Sequence, residues 1–207
     1  MDGVLVDNGD FHYKSFEAFA KEHQLPFNAE IYHRDITGRT NESIMKNLFG
    51  DKINDAQIAQ YAYDKEALYR EMYKPFMKMP VGLAELLEAF EKKNISCAVA
   101  SNGPFENIDF VLDELNIRKY FKYVVNATMV KHGKPAPDVY LKAAELLGTP
   151  TENCLVFEDS PTGIEAAIAA GIKVIGITST HQASELIGTA YIVKDFSDPA
   201  IKKLFID

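Results

Sequence analysis

Two cysteines, Cys97 and Cys154, are too few in 207 residues for a disulfide framework. Both lie in apolar runs and are expected as buried free thiols of a protein in the reducing cytoplasm. No stretch approaches the roughly 18 uninterrupted apolar residues that a membrane span needs, so no membrane partner is expected. The first residues show no basic segment followed by an apolar one, and no signal peptide is expected. Runs rich in Lys or Arg are also missing. With 22 Lys and Arg against 30 Asp and Glu, the net charge is −8. A chain of that balance has little to offer a phosphate backbone, and nucleic acid is excluded as a partner. Internal repeats and low-complexity tracts are absent.

Apolar residues make up 47% of the chain and charged residues 25%, which fits a soluble globular protein able to bury a core as one domain with a modest insert. A monomer is expected. From Pro80 onward, helical and strand patterns alternate. Apolar residues recur at helical spacing over 83–90 and 107–115. Pro137 suits the first turn of a further helix to about 147, and Pro161 opens one that Gly171 ends. Short apolar runs at 95–100, 123–127, 153–157, 173–178 and 190–193 read as strands. Strands alternating with helices of about ten residues predict right-handed β-α-β units and a mostly parallel sheet buried on both faces. Residues 9–76 differ. They carry helical spacing (Phe16, Phe19 and Ala20; Ile44, Leu48 and Phe49; Ile58, Tyr61, Leu68 and Tyr69) and no strand run. The expected architecture is therefore α/β, with a Rossmann-like parallel sheet core built from 1–8 and 77–207. A small helical cap domain, 9–76, is inserted after the first motif, a place suited to a lid.

Four polar islands close or follow strand-like apolar runs. They are Asp2-Gly3 ahead of Val4-Leu5-Val6-Asp7, Ser101-Asn102-Gly103, Lys134-Pro135, and Glu158-Asp159-Ser160. In an open parallel sheet, ligands bind beyond the carboxyl ends of the strands, which is where these islands fall. Glu158-Asp159 suits a hard, oxygen-liganded cation such as magnesium. Taken alone, the segment reads more plainly as a helix cap by Asp159 or Ser160 ahead of Pro161, and the two readings are compatible. Lys134 can balance phosphate and carboxylate charge, although a lone loop lysine is ordinarily a surface residue. Ser101-Asn102-Gly103 offers a hydroxyl and backbone N–H groups to an anion, or is an ordinary turn. Together they supply an acid/base carboxylate, a hydroxyl, a cation and a metal-binding pair, the equipment for moving a phosphoryl group.

The chain resembles the haloacid dehalogenase superfamily, in the phosphatase and phosphomutase branch that includes β-phosphoglucomutase. The resemblance rests on residues 2–7, on Ala100-Ser101-Asn102-Gly103, on His132-Gly133-Lys134-Pro135-Ala136-Pro137-Asp138, and on Phe157-Glu158-Asp159-Ser160-Pro161-Thr162-Gly163-Ile164. It implies that Asp2 is the general acid/base and that its backbone carbonyl ligates Mg2+. Gly3, Ser101 and Lys134 would hold the transferring phosphoryl group, with a contact from Asn102. Asp159 would ligate the metal directly, and Glu158 would be a ligand or its supporting partner. The substrate would be a small phosphorylated molecule.

The pattern also implies departures. Family members carry a nucleophilic aspartate two residues before the acid/base, at the end of a central strand, and here that position precedes Met1. A natural chain longer by about 6–12 residues is expected, the length of an ordinary strand with its lead-in. In the cap, His12 matches a position that aids proton control, and Lys65 matches a lysine that can contact substrate. A satisfied interfacial histidine and a solvent-exposed lysine are the plainer readings. After Gly38 the mutase has an arginine for a second phosphate; this chain has Arg39-Thr40-Asn41, with the arginine displaced. The resemblance thus implies a magnesium-dependent phosphatase of a small metabolite. A hexose-phosphate mutase and a phosphate-binding pseudoenzyme are the alternatives.

Overall fold

The computed structural model describes residues 1–37 and 39–206. The chain divides into two compact units, Asn8–Phe76 and Met1–Asp7 with Met77–Asp207. The insert begins one residue earlier than the periodicity suggests because Asn8 starts its first helix. The Asn8 carbonyl accepts the Phe11 and His12 amides, and its side chain donates to the Tyr69 hydroxyl.

The inserted unit is helical throughout: α1 (Gly9–Glu22), a short α2 (Ala29–Ile31) that runs into a wider turn at Tyr32–Ile36, α3 (Asn41–Phe49) and α4 (Asp55–Tyr73). Local chemistry sets the starts. Thr40 accepts from the Ser43 amide at the head of α3. Asn54 and Gln57 exchange hydrogen bonds in a capping box at the head of α4. The apolar faces of α1, α3 and α4 meet around Phe16, Phe19, Ile36, Ile44, Met45 and Ile58, with Leu48, Phe49, Tyr61 and Leu68 packed against them. Each large side chain buried in this way contributes about 1.5–3 kcal/mol.

The other unit alternates α5 (Leu83–Lys92), β1 (Cys97–Ser101), α6 (Phe105–Glu114), β2 (Phe121–Asn126), α7 (Asp138–Leu147), β3 (Leu155–Glu158), α8 (Pro161–Ala169), β4 (Lys173–Ile177), β5 (Tyr191–Val193) and α9 (Pro199–Ile201). Among the described residues every strand pair is parallel: β1 with β2, β3 with β4, and β4 with β5. This is a Rossmann-like arrangement. Strand β1 starts at Cys97 rather than 95 because the Ile95 amide is taken by the Phe90 carbonyl, closing the end of α5. The helices α7 and α8 bury Val139, Tyr140, Ala143, Ile164, Ala166 and Ala167 in one cluster with Val125 and Val174. No helix among the described residues is long and apolar enough to cross a membrane.

The strands form two sheets, β1-β2 and β3-β4-β5. A cavity of about 540 Å³, lined in part by Met1, Val99, Ala100, Val156, Phe157 and Glu158, runs along β1 and β3.

Two sequence expectations are corrected. Val4-Leu5-Val6 is a buried turn and not a strand. The Met1 carbonyl captures the amides of Val4 and Leu5, and Gly3 adopts a φ of +67°, which reverses the chain. The cysteines are free but half-buried, because they sit where strands begin, with their thiols directed at loop carbonyls: Cys97 at Ile95, Cys154 at Thr149 and Pro150. Burial still pushes the Cys97 thiol up to about 11, so it is a poor nucleophile.

Candidate active site

The islands of the sheet unit converge. Strand β3 ends in Glu158 and delivers it, buried to 4% exposure, into a ring of donors. Its Oε1 accepts from Lys134 Nζ at 2.6 Å and from the Tyr140 hydroxyl at 2.6 Å. Its Oε2 accepts from the amides of Asp159 (3.1 Å) and Ser160 (3.4 Å) and from the Ser160 hydroxyl (3.2 Å). A carboxylate has about four lone-pair sites, so this one is saturated. Burial alone would raise the carboxyl, but the Lys134 ammonium, then the amino-terminal charge at Met1, and the hydrogen bonds from Lys134 and Tyr140 hold it down at about 2. The same burial, with Glu158 beside it, pushes the Tyr140 hydroxyl well above its ordinary value and keeps it a donor. Gly163 makes the fit possible, since any Cβ there would overlap the Glu158 carboxylate.

Lys134 reaches Glu158 from a loop that Asn102 holds at both ends of one residue. The Lys134 amide donates to Asn102 Oδ1 at 3.0 Å, and Asn102 Nδ2 donates to the Lys134 carbonyl at 3.3 Å. Lys134 Nζ also donates to the Ala100 carbonyl at 3.1 Å, tying the loop to β1. Asp138 accepts from the His132 amide and braces the start of the same loop. At the end of β1, the buried Ser101 hydroxyl accepts from the Gly103 amide at 3.1 Å. The Cβ direction of Gly103 points to a spot 3.4 Å from Ser101 Oγ and 3.8 Å from Asp2 Oδ2, so the hydroxyl and the acid/base candidate share one side of this glycine.

Asp159 is buried to 7% exposure, and Gly3 packs so closely on its carboxylate that no side chain would fit between them. Burial, then the charge of Glu158, raises the Asp159 carboxyl to about 6. Two adjacent buried carboxylates with one lysine leave excess negative charge, which favours a cation. Among the described residues no three His, Cys, Asp or Glu side chains cluster as a ready metal cage. A metal at Asp159 would thus draw on backbone carbonyl oxygens, water and substrate, the coordination that magnesium accepts and zinc does not favour. The donor set fits magnesium.

In the helical unit, His12 and Lys65 come together and Arg39 stays apart. Lys65 is not the solvent-exposed lysine its helical position suggests: it is 1% exposed, 3.2 Å from His12 Nδ1 and 3.2 Å from Glu66 Oε1, with its ammonium 4.0 Å from the Phe16 ring centroid. Glu66 and the aromatic face offset the cost of burying that charge. His12 stacks on Tyr69 at 3.9 Å. Arg39 is exposed and directs Nε and Nη2 at the Arg34 carbonyl. The Gly38 before it lies outside the described residues.

Tyr140 and the segment Ser179-Thr180-His181 belong to the site and escape the sequence reading. Tyr140 sits in an apolar helix face, and nothing in the pattern reveals its hydroxyl's target. The polar run after β4 does carry a signal: it follows a strand end, as the other islands do.

The haloacid dehalogenase-like hydrolase family matches residues 1–177. A phosphorylated carbohydrates phosphatase of Thermotoga maritima is 30% identical over 173 residues, covering 84% of this chain and 80% of that protein. A β-phosphoglucomutase of Bacillus subtilis is 27% identical, covering 99% of this chain and 91% of that one. The crystal structure of a HAD hydrolase (family IA, variant 3) from Entamoeba histolytica superposes with a TM-score of 0.85 at 30% identity, over 95% of this chain and 91% of that chain.

Proposed function

The chain belongs to the haloacid dehalogenase-like hydrolases, and from that premise we propose that it is a magnesium-dependent phosphatase of a small phosphorylated metabolite, a sugar phosphate by preference. One observation carries the reading: Asp2, Ser101, Lys134 and Asp159 converge at the carboxyl ends of β1 and β3 within one unit. Phosphoryl transfer needs charge neutralisation on the equatorial oxygens, in-line positioning and a proton for the leaving oxygen, and these groups supply all three. Asp2 is the general acid/base. Ser101 and Lys134 hold the phosphoryl group beside the Gly3 backbone, and Asn102 sets the Lys134 loop. Asp159 and the Asp2 carbonyl are the magnesium ligands, and the saturated Glu158 acts through Lys134. Bound there, magnesium would neutralise phosphoryl charge as it develops.

In the helical unit, His12 and Lys65 are paired at 3.2 Å and are the candidate substrate contacts of that unit. Arg39, engaged on the Arg34 carbonyl, is the weaker candidate for a second phosphate, which favours hydrolysis over a mutase. The relative from T. maritima carries a phosphatase name and that from B. subtilis a mutase name. The test gives the natural full-length protein β-glucose 1-phosphate and a panel of phosphorylated sugars with magnesium. Release of inorganic phosphate is the expected result. Conversion of β-glucose 1-phosphate to glucose 6-phosphate identifies the mutase. Binding of phosphate analogues without turnover identifies a pseudoenzyme.

A further inference from the structure

The loop leaving β4 reaches back to both halves of the candidate metal site. Thr178 anchors it, donating its amide to the Val193 carbonyl of β5 at 3.0 Å. Next, the Ser179 hydroxyl donates to the Gly3 carbonyl. The Thr180 hydroxyl donates to Asp159 Oδ2. His181 Nδ1 lies 3.0 Å from the Asp159 backbone carbonyl and 2.9 Å from Thr180 Oγ1. A threonine hydroxyl has one proton. Thr180 Oγ1 also lies 3.2 Å from the Asp159 carbonyl, so Thr180 and His181 both face that oxygen. Neighbouring residues of one loop thus grip the Gly3 peptide and the Asp159 carboxylate, which are already in close contact with each other.

We propose that Ser179 and Thr180 form a clip that sets Asp159 and the Asp2–Gly3 backbone for a divalent cation. They are positioning residues, acting through Asp159 and Gly3. The inference rests on the reading of Asp159 as a metal ligand. Two features give the clip its direction. Thr180 takes one lone-pair direction of Oδ2, which fixes the rotation of the carboxylate and leaves its other lone pairs for coordination. Both clip donors are neutral hydroxyls. Thr180 orients the carboxylate, and Ser179 the Gly3 peptide, without cancelling the charge of Asp159, whereas Lys134 cancels that of Glu158. Groups that orient a ligating carboxylate in this way typically carry 10- to 100-fold in metal affinity.

The test is Mn2+ binding to the metal-free protein, read by the loss of the free-ion electron paramagnetic resonance signal, with thermal unfolding run on each variant. Wild type binds Mn2+ and Asp159→Asn does not. Thr180→Val weakens binding at least tenfold, and Thr180→Ser restores it to within about threefold of wild type. Ser179→Ala, which leaves the bond to Asp159 in place, weakens it about threefold and provides a second reading should Thr180→Val fold poorly. Wild-type affinity in both Thr180→Val and Ser179→Ala, with Asp159→Asn still deficient, overturns the clip and leaves the metal ligand standing. Unchanged binding in Asp159→Asn overturns the metal assignment and the clip with it.

Discussion

Replacing Lys134 by Met removes a charge from a buried pair and keeps the volume. The ammonium and the Glu158 carboxylate are 2.6 Å apart, with side chains 10% and 5% exposed, so solvent screens the pair little. Glu158 is held at about 2 in the folded protein against an ordinary 4.5. At about 1.4 kcal/mol per pKa unit, the ionised group adds on the order of 3 kcal/mol to stability at neutral pH, of which Lys134 supplies the largest share and the Met1 amino terminus and Tyr140 the rest. The sign follows from the direction. A depressed carboxyl contributes fully above the unfolded value near 4.5, and the contribution is lost as pH falls toward 2. In the variant, burial is opposed only by the amino-terminal charge and the Tyr140 hydrogen bond, so the carboxyl rises and the stabilisation from its ionisation at neutral pH is lost. The total deficit is about 3–5 kcal/mol, the usual result of stranding one member of a buried pair. For a chain of this size that lowers the melting temperature by roughly 6–20 °C. Circular dichroism melts at pH 7.5 and pH 5 read it. The deficit is largest at pH 7.5 and shrinks at pH 5, where Glu158 of the variant takes up a proton. A loss below 2 °C, or one equal at both pH values, would refute the electrostatic argument.

Gly163→Ala forces the Glu158 carboxylate off its ring of donors and should cost about 2–4 kcal/mol in urea unfolding, a large effect for one methyl group. Asp2→Asn should lower turnover by about 10²–10⁴ while leaving substrate affinity nearly intact, as shown by steady-state kinetics beside equilibrium binding. Because the Asp159 carboxyl is raised to about 6, protons would compete with a metal held as proposed. Magnesium affinity measured by calorimetry should fall about tenfold per pH unit below 6 and level off above it. In the metal-free protein the same raised group favours the folded state at low pH, and that contribution disappears as pH rises from about 4 to 6.

Much of this was legible in the chain. The parallel strands announce themselves because burial on both faces demands continuous apolar runs, and Ser101 and Glu158 stand where those runs stop. Helix starts such as Ser160-Pro161 and Asn54 to Gln57 are written in local hydrogen bonding. Other features depend on tertiary placement. The Tyr140 hydroxyl meets Glu158 only because α7 packs against the sheet, and Lys65 is buried because Phe16 and Glu66 receive it. Val4-Leu5-Val6 misleads because three apolar residues suit a strand and a buried turn equally, and the Gly3 backbone and Met1 carbonyl decide between them. Ser179 and Thr180 were readable in principle, as a polar run at a strand end.

The central claim is phosphomonoester hydrolysis at this site. Inorganic phosphate released from a panel of phosphorylated sugars and p-nitrophenyl phosphate by the natural full-length protein, with magnesium and then with EDTA, tests it most directly. Release with magnesium that stops with EDTA and is lost in Asp159→Asn is the predicted result. No release from any substrate by folded, magnesium-loaded protein would contradict it.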